Sequence, residues 1–171
     1  MEIGLYMYNT SPLFEIIVAK YILETKHNVI IISDEDKFKT AENIEMGALP
    51  IKKVLLQNEL QALIICGGDT NKVKHTDTLC ELIRKTNQKK GIIASICSGN
   101  MMVTKALGFS EMNDDFQGVK LFEDNVLMSS ADNYIQFGIE LGRLLNVYVD
   151  KSDYDETVEF FLTNQVNAPI Q

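Results

Sequence analysis

Short apolar runs and longer amphipathic stretches take turns along the chain. Glu2 to Tyr8 (EIGLYMY), Asn28 to Ser33 (NVIIIS), Gln61 to Cys66 (QALIIC) and Gly91 to Ile96 (GIIASI) read as strands. Strands as continuously apolar as Asn28 to Ser33 are covered on both faces, as in parallel sheets. Leu13, Ile16, Ile17 and Tyr21 recur at the helical period, which predicts a helix with Ser11 as its cap and Pro12 at its first position. Further helices are predicted over 71–88, with Asp69-Thr70 as the cap, over Ser98 to Leu107, over Asn133 to Leu145 and over Ser152 to Thr163. Val119 to Phe122 and Val126 to Ser129 read as a hairpin pair around Glu123-Asp124-Asn125. Residues 34–60 are polar and irregular, with a short strand expected near Leu49 to Val54. Strand alternating with helix predicts a mostly parallel α/β sandwich. No repeat or linker interrupts it, so one domain over 1–171 is expected, with a frayed tail over 165–171.

Composition narrows the class. The chain has 171 residues, 46% hydrophobic and 23% charged, the balance of an ordinary globular domain. Apolar runs such as Val29 to Ile32 are far too short to span a bilayer, and Met1-Glu2 begins no signal-peptide pattern. The net charge is −8. Phosphate binding needs clustered Lys and Arg, so neither nucleic acid nor an anionic membrane surface is an expected partner. Three cysteines, Cys66, Cys80 and Cys97, stand at spacings that fit no zinc site. An odd count without a secretory signal points to a reducing compartment, with the cytoplasm as the expected location. Only His27 and His75 are present, which argues against a His-rich metal site. No metal or other cofactor is expected.

The stretch GIIASICSGNMMVTKAL carries the chemistry. A buried strand ends, Cys97 follows, and a helix starts with no loop between. Ser95 and Gly99, two positions away on either side, are small, as a nucleophile elbow requires. The helix behind Cys97 offers free N–H groups and a positive dipole end, so its thiol is expected to be more acidic than an ordinary one. Gly67-Gly68 ends the neighbouring strand, where ligand crevices lie in open α/β sheets. The N–H groups of Gly68 and Ser98 are candidates for an oxyanion hole. Glu15, in the first turn of the first helix, is either a helix-end carboxylate or an acid/base partner for Cys97. Gly67, Asp69, Ser130 and Asp132 could rim the crevice, although Asp132 also reads as a helix cap. Cys66, Cys80, Met101 and Met102 read as packing residues.

Together, ASICSGNMMVTKALG, ALIICGGDT and FEIIVAKYIL resemble the ThiJ/PfpI superfamily, over most of the chain from the first strand to about Leu145. The resemblance implies a flavodoxin-like three-layer sandwich of the class I glutamine amidotransferase type, with helices on both faces of the sheet. It implies that Cys97 is the reactive residue, that Glu15 hydrogen-bonds it, and that the Gly68 and Ser98 amides form an anion-binding notch. Homodimers are common in the superfamily.

The chain departs from the pattern in one respect. Many members complete a Cys-His pair with a histidine downstream of the cysteine, and here no His follows Cys97. SEMNDDFQG occupies that region, where Asp114 and Asp115 read as a solvated acidic loop or a substitute for the missing group. His27 and His75 read as surface or helix-end residues. A protease or glutaminase of the Cys-His type is therefore not expected. The remaining readings are a Cys97–Glu15 hydratase, hydrolase or lyase for a small molecule, resembling the isocyanide hydratase or glyoxalase/deglycase branches, a redox or stress sensor using Cys97 oxidation, and a non-catalytic regulatory module.

Overall fold

The computed structural model describes residues 2–57, 60–109 and 116–163. Seven strands form one sheet: β1 (Glu2–Tyr6), β2 (Asn28–Ser33), β5 (Leu49–Pro50), β6 (Ala62–Ile65), β7 (Ile92–Ile96), β8 (Val119–Phe122) and β9 (Val126–Ser129). Their order is β5-β2-β1-β6-β7-β9-β8. All neighbours run parallel except the edge strand β8, which pairs antiparallel with β9. Two further strands, β3 (Lys37–Lys39) and β4 (Glu45–Gly47), make a separate antiparallel hairpin.

Helices cover both faces. On one, Ile16, Ala19 and Leu23 of α1 (Phe14–Glu24) and Phe137, Ile139 and Leu141 of α5 (Tyr134–Leu144) pack on Ile3, Leu5, Ile64 and Ile96. On the other, α2 (Ile51–Gln57), α3 (Thr76–Gln88) and α4 (Gly99–Leu107) bury Ile51, Leu82, Ile83 and Val103 against Leu63, Ile65 and Ile93. Side chains alternate across a strand, so each central strand feeds both cores. This explains why β6 is buried at every position. The three-layer, mostly parallel sandwich expected from the alternation is the fold observed. The chain continues into α6 (Lys151–Val158), which passes into a π-turn over Glu159–Thr163.

Local expectations fail where tertiary contacts override propensity. The region 34–60 is not irregular throughout, since it holds the β3–β4 hairpin, β5 and α2. The strand expected at Leu49 to Val54 stops at Pro50, and Ile51 begins a helix. Ser11 does not cap α1. Its Oγ accepts from Tyr8 N at 3.0 Å, and the helix starts at Phe14 with Leu13 before it. Asp69 caps a 3-10 turn over Thr70–Lys72 rather than α3, which begins after His75. Asp132 caps nothing, because α5 starts beyond Asn133. Met102 packs at 7% exposure, but Met101 projects into solvent at 63%.

Candidate active site

The parallel sheet brings the loops after β1, β6, β7 and β9 to one edge, and Cys97 stands there. Its φ is +57°, a left-handed conformation that costs a residue with a Cβ about 1–2 kcal/mol. The surroundings hold it in place. Cys97 N donates to Ser129 O at 2.9 Å. Asn100 Nδ2 donates to the same carbonyl at 2.9 Å, and Ser95 Oγ donates to Asn100 Oδ1 at 2.7 Å. The elbow is thereby tied to β9. Gly99 explains the small-residue rule, since a Cβ there would stand 2.6 Å from Ile65 O and 2.9 Å from Cys66 O. Backbone atoms cannot step aside, so a side chain at this position would drive α4 off the strand.

Glu15 is brought to the cysteine from α1. It is 2% exposed, and its Oε2 accepts from Gly67 N at 3.0 Å. The Cys97 thiol lies close enough that each group perturbs the other's proton affinity. Burial raises its pKa above the usual carboxylate value, partly offset by its neighbours Cys97, Gly67 and Cys66. A carboxylate merely complementing a helix end would sit in water, whereas Glu15 is buried beside Cys97.

The expected acidity of Cys97 is overturned. Burial raises its pKa, and the charge of Glu15 raises it further. The Ser98 N–H and hydroxyl pull in the opposite direction without prevailing. The helix end is real, but it competes with desolvation and with a negative neighbour. Burial therefore raises the proton affinity of both members of the pair.

The proposed anion notch is also altered. Gly68 N donates to Ser98 Oγ at 2.9 Å, and Ser98 Oγ donates to Gly68 O at 2.7 Å. The serine side chain thus occupies one of the two amides expected to face a ligand. The Ser98 N–H lies near enough to Cys97 to lower its pKa, against the effect of burial.

Of the expected rim, Gly67 lies at the centre. A Cβ on it would meet Glu15 Oε2 at 2.5 Å and Cys97 Cβ at 2.8 Å. Asp69 N is held by Thr10 Oγ1 at 2.9 Å. Ser130 follows the β9 carbonyl that anchors Cys97, and its Oγ accepts from Gly118 N at 3.0 Å and from Asn133 Nδ2 at 2.9 Å. Asp132 faces solvent, and the Ser130 hydroxyl holds its carboxyl below the usual range. Asp114 and Asp115 lie outside the described residues. His27 bonds Leu145 O at 2.8 Å near the far end of α1. His75 precedes α3 and is not among the groups that perturb Cys97.

Three residues of the neighbourhood escaped the sequence reading. Cys66 does pack in the core at 0% exposure, but it is more than packing. Its Sγ is 3.7 Å from Glu15 Oε2 and 3.4 Å from Pro12 O. Tyr8 is 1% exposed, and its hydroxyl has no well-formed hydrogen bond. Burial raises its pKa strongly, offset in part by the nearby Ser98 hydroxyl, with Cys66, Glu15 and Cys97 close enough to add to the rise. Thr10, at φ +80°, links the loop after β1 to the glycine loop. Their common signal is position, at or just beyond the carboxyl ends of β1 and β6. A cleft of about 660 Å³ between α1 and α6, lined by residues such as Tyr21, Tyr148 and Phe161, includes neither Cys97 nor Glu15.

A left-handed cysteine at a strand-to-helix elbow, facing a buried glutamate, defines a nucleophile-elbow α/β protein with a thiol–carboxylate centre. The chain belongs to the DJ-1/PfpI family, whose model matches residues 2–113. Solved structures agree on the fold. Oxidized DJ-1 from Toxoplasma gondii superposes with a TM-score of 0.76 at 16% identity, covering 94% of this chain and 97% of that one. DJ-1beta from Drosophila melanogaster gives 0.76 at 14%, with the same coverage. An AraC family transcriptional regulator from Pseudomonas putida gives 0.72 at 15%, covering 93% and 98%. At these identities the likeness speaks for the fold alone. No curated protein matches the chain. Among the described residues, no helix is long and apolar enough to cross a membrane.

Proposed function

We propose that the chain is a cysteine-dependent enzyme acting on a small electrophilic molecule, as a hydratase, hydrolase or lyase of the isocyanide hydratase or glyoxalase/deglycase kind. The observation that carries this reading is the buried Glu15 carboxylate held against Cys97 at a strained elbow. The thiol proton passes to Glu15 as sulfur attacks carbon, and the carboxyl returns it to the atom that gains negative charge. Water then releases the product and regenerates the thiol. The Ser98 N–H supports the sulfur, and no imidazole is required. Turnover of isocyanides, methylglyoxal and simple amides tests the reading against a Cys97→Ser control. Activity on none of these classes above that control overturns it for them.

A second reading, oxidation sensing without turnover, is favoured by one observation. The Ser98 hydroxyl holds the Gly68 amide, so one of the two donors that an oxyanion would use is already engaged. Peroxide treatment followed by mass spectrometry tests it, and equal reactivity of Cys97, Cys66 and Cys80 would remove it. We further propose a cytoplasmic homodimer. Phe14, Ile17 and Tyr21 make an exposed apolar stripe along α1 at 49%, 46% and 66% exposure, a face suited to a second copy. Light scattering that returned a monomer at micromolar concentration would overturn the dimer.

A further inference from the structure

We propose that Cys66 is a resolving thiol for Cys97, so that a hydroperoxide converts the pair into an intramolecular disulfide. The proposal rests on the reactivity of Cys97 with peroxide, as in the second reading above, and not on turnover of a carbon substrate.

Three geometric observations carry it. First, both cysteines adjoin one carboxylate. Glu15 Oε2 lies 3.7 Å from Cys66 Sγ, and a Cβ placed on Gly67 would stand 2.5 Å from that same oxygen and 2.8 Å from Cys97 Cβ. Second, both belong to the same face of the sheet, in the core between the strands and α1. Third, the register brings them together. Ile65 pairs with Ser95 on the parallel strands β6 and β7, which places Cys66 one residue short of the level of Cys97. A strand spacing of about 4.8 Å combined with one residue of stagger, about 3.3 Å, separates the two Cα atoms by roughly 6 Å. That value falls inside the span a disulfide bridges. Gly67, the residue after Cys66, has no side chain where a Cβ would stand 2.8 Å from Cys97 Cβ. Cys80 belongs to the opposite core and cannot take part without unfolding.

The steps balance. The Cys97 sulfur attacks the peroxide, the O–O bond breaks, and an alcohol or water leaves with the thiol proton relayed by Glu15. Cys97 is then a sulfenic acid, oxidised by two electrons. The Cys66 thiol gives its proton to Glu15, its sulfur attacks the Cys97 sulfur, and the S–O bond breaks. Glu15 returns the proton to the departing hydroxide as water. Burial holds the Cys66 thiol well above its ordinary pKa, and the charge of Glu15 adds to this. The adjacent carboxylate is therefore the group through which it can react.

The test treats the full chain with hydrogen peroxide under non-denaturing conditions, then alkylates, unfolds and maps the peptides. The expected product has lost two hydrogens, has a Cys66–Cys97 cross-linked peptide, shows one titratable thiol where three stood, and reverts with dithiothreitol. In Cys66→Ser, whose hydroxyl can still donate to Glu15, Cys97 is expected to gain oxygen irreversibly, at least about tenfold faster than in the parent. Cys80→Ser should behave as the parent. If the parent's Cys97 gains oxygen while Cys66 remains alkylatable after unfolding, the proposal fails and the sensing reading survives. If no cysteine reacts, both fail. The peptide map of the parent needs no variant, so a poorly folding Cys66→Ser would leave the test decisive.

Discussion

Replacing Gly67 with alanine tests the thiol–carboxylate pair without deleting either partner. No left-handed backbone requirement applies at Gly67, so the substitution acts only through its methyl group. That methyl would stand 2.5 Å from Glu15 Oε2, 3.1 Å from Oε1 and 2.8 Å from Cys97 Cβ. Ordinary contact begins near 3.5 Å, so the carboxylate must retreat by roughly 1 Å. It has little room, being 2% exposed. Retreat breaks the 3.0 Å bond from Gly67 N. A lost buried bond to a charged acceptor costs about 1.5–3 kcal/mol. We expect Gly67→Ala to lower unfolding free energy by about 2 kcal/mol, read as a lower urea midpoint with an unchanged slope. The same movement removes the charge and the acceptor that hold the Cys97 proton. The pH profile of iodoacetamide labelling at Cys97 should therefore shift to lower pH, while labelling of Cys80 stays as in the parent. Turnover, which needs the carboxyl as proton carrier, should fall. An alanine variant with parental stability and a parental labelling profile would refute the claim that Glu15 governs this thiol.

Other perturbations separate strain, charge and polarity. Because Cys97 sits at φ +57°, Cys97→Gly should be more stable than Cys97→Ala by about 1 kcal/mol, measured as the difference in urea unfolding between two variants that both lack the thiol. Burial raises the folded-state pKa of Glu15 above 4.5, so its favourable contribution is fully present below pH 4.5 and is lost as pH rises through the folded value. Glu15→Gln should accordingly gain stability relative to the parent between pH 4 and pH 8, and a difference that is flat or falls with pH would contradict the burial argument. Tyr8→Phe removes a hydroxyl without a well-formed partner and should be neutral or stabilising by up to about 1 kcal/mol, whereas Tyr6→Phe, which loses a 2.8 Å bond to Asp34 Oδ1, should cost about 1–2 kcal/mol. Parallel thermal melts of the two tyrosine variants check both.

The legible part of the molecule was the part governed by local pattern. Apolar runs such as NVIIIS and ALII must be buried on both faces, and that requirement alone selects a parallel sheet with helices on either side. The elbow was legible for the same reason, because a strand passing straight into a helix admits only small neighbours, and Ser95 and Gly99 satisfy that constraint. The helix caps were less legible. Ser11 and Asp69 have the chemistry of caps, but the loop after β1 and the glycine loop offered them other hydrogen bonds, and a side chain a residue or two from a helix start can be diverted at little cost.

The sequence by itself determined the layered α/β architecture and the site of the strand-to-helix turn at Cys97, since these follow from periodicity and from the volume of neighbouring residues. Only the tertiary structure decided the electrostatics. That Cys97 is held less acidic than an ordinary thiol, that Ser98 closes over the Gly68 amide, and that Cys66 shares Glu15 all depend on distances between segments far apart in the chain. Charge and desolvation act through space, so residues separated by some fifty positions, such as Glu15 and Cys66, set each other's proton affinity once the fold brings the start of α1 against the end of β6.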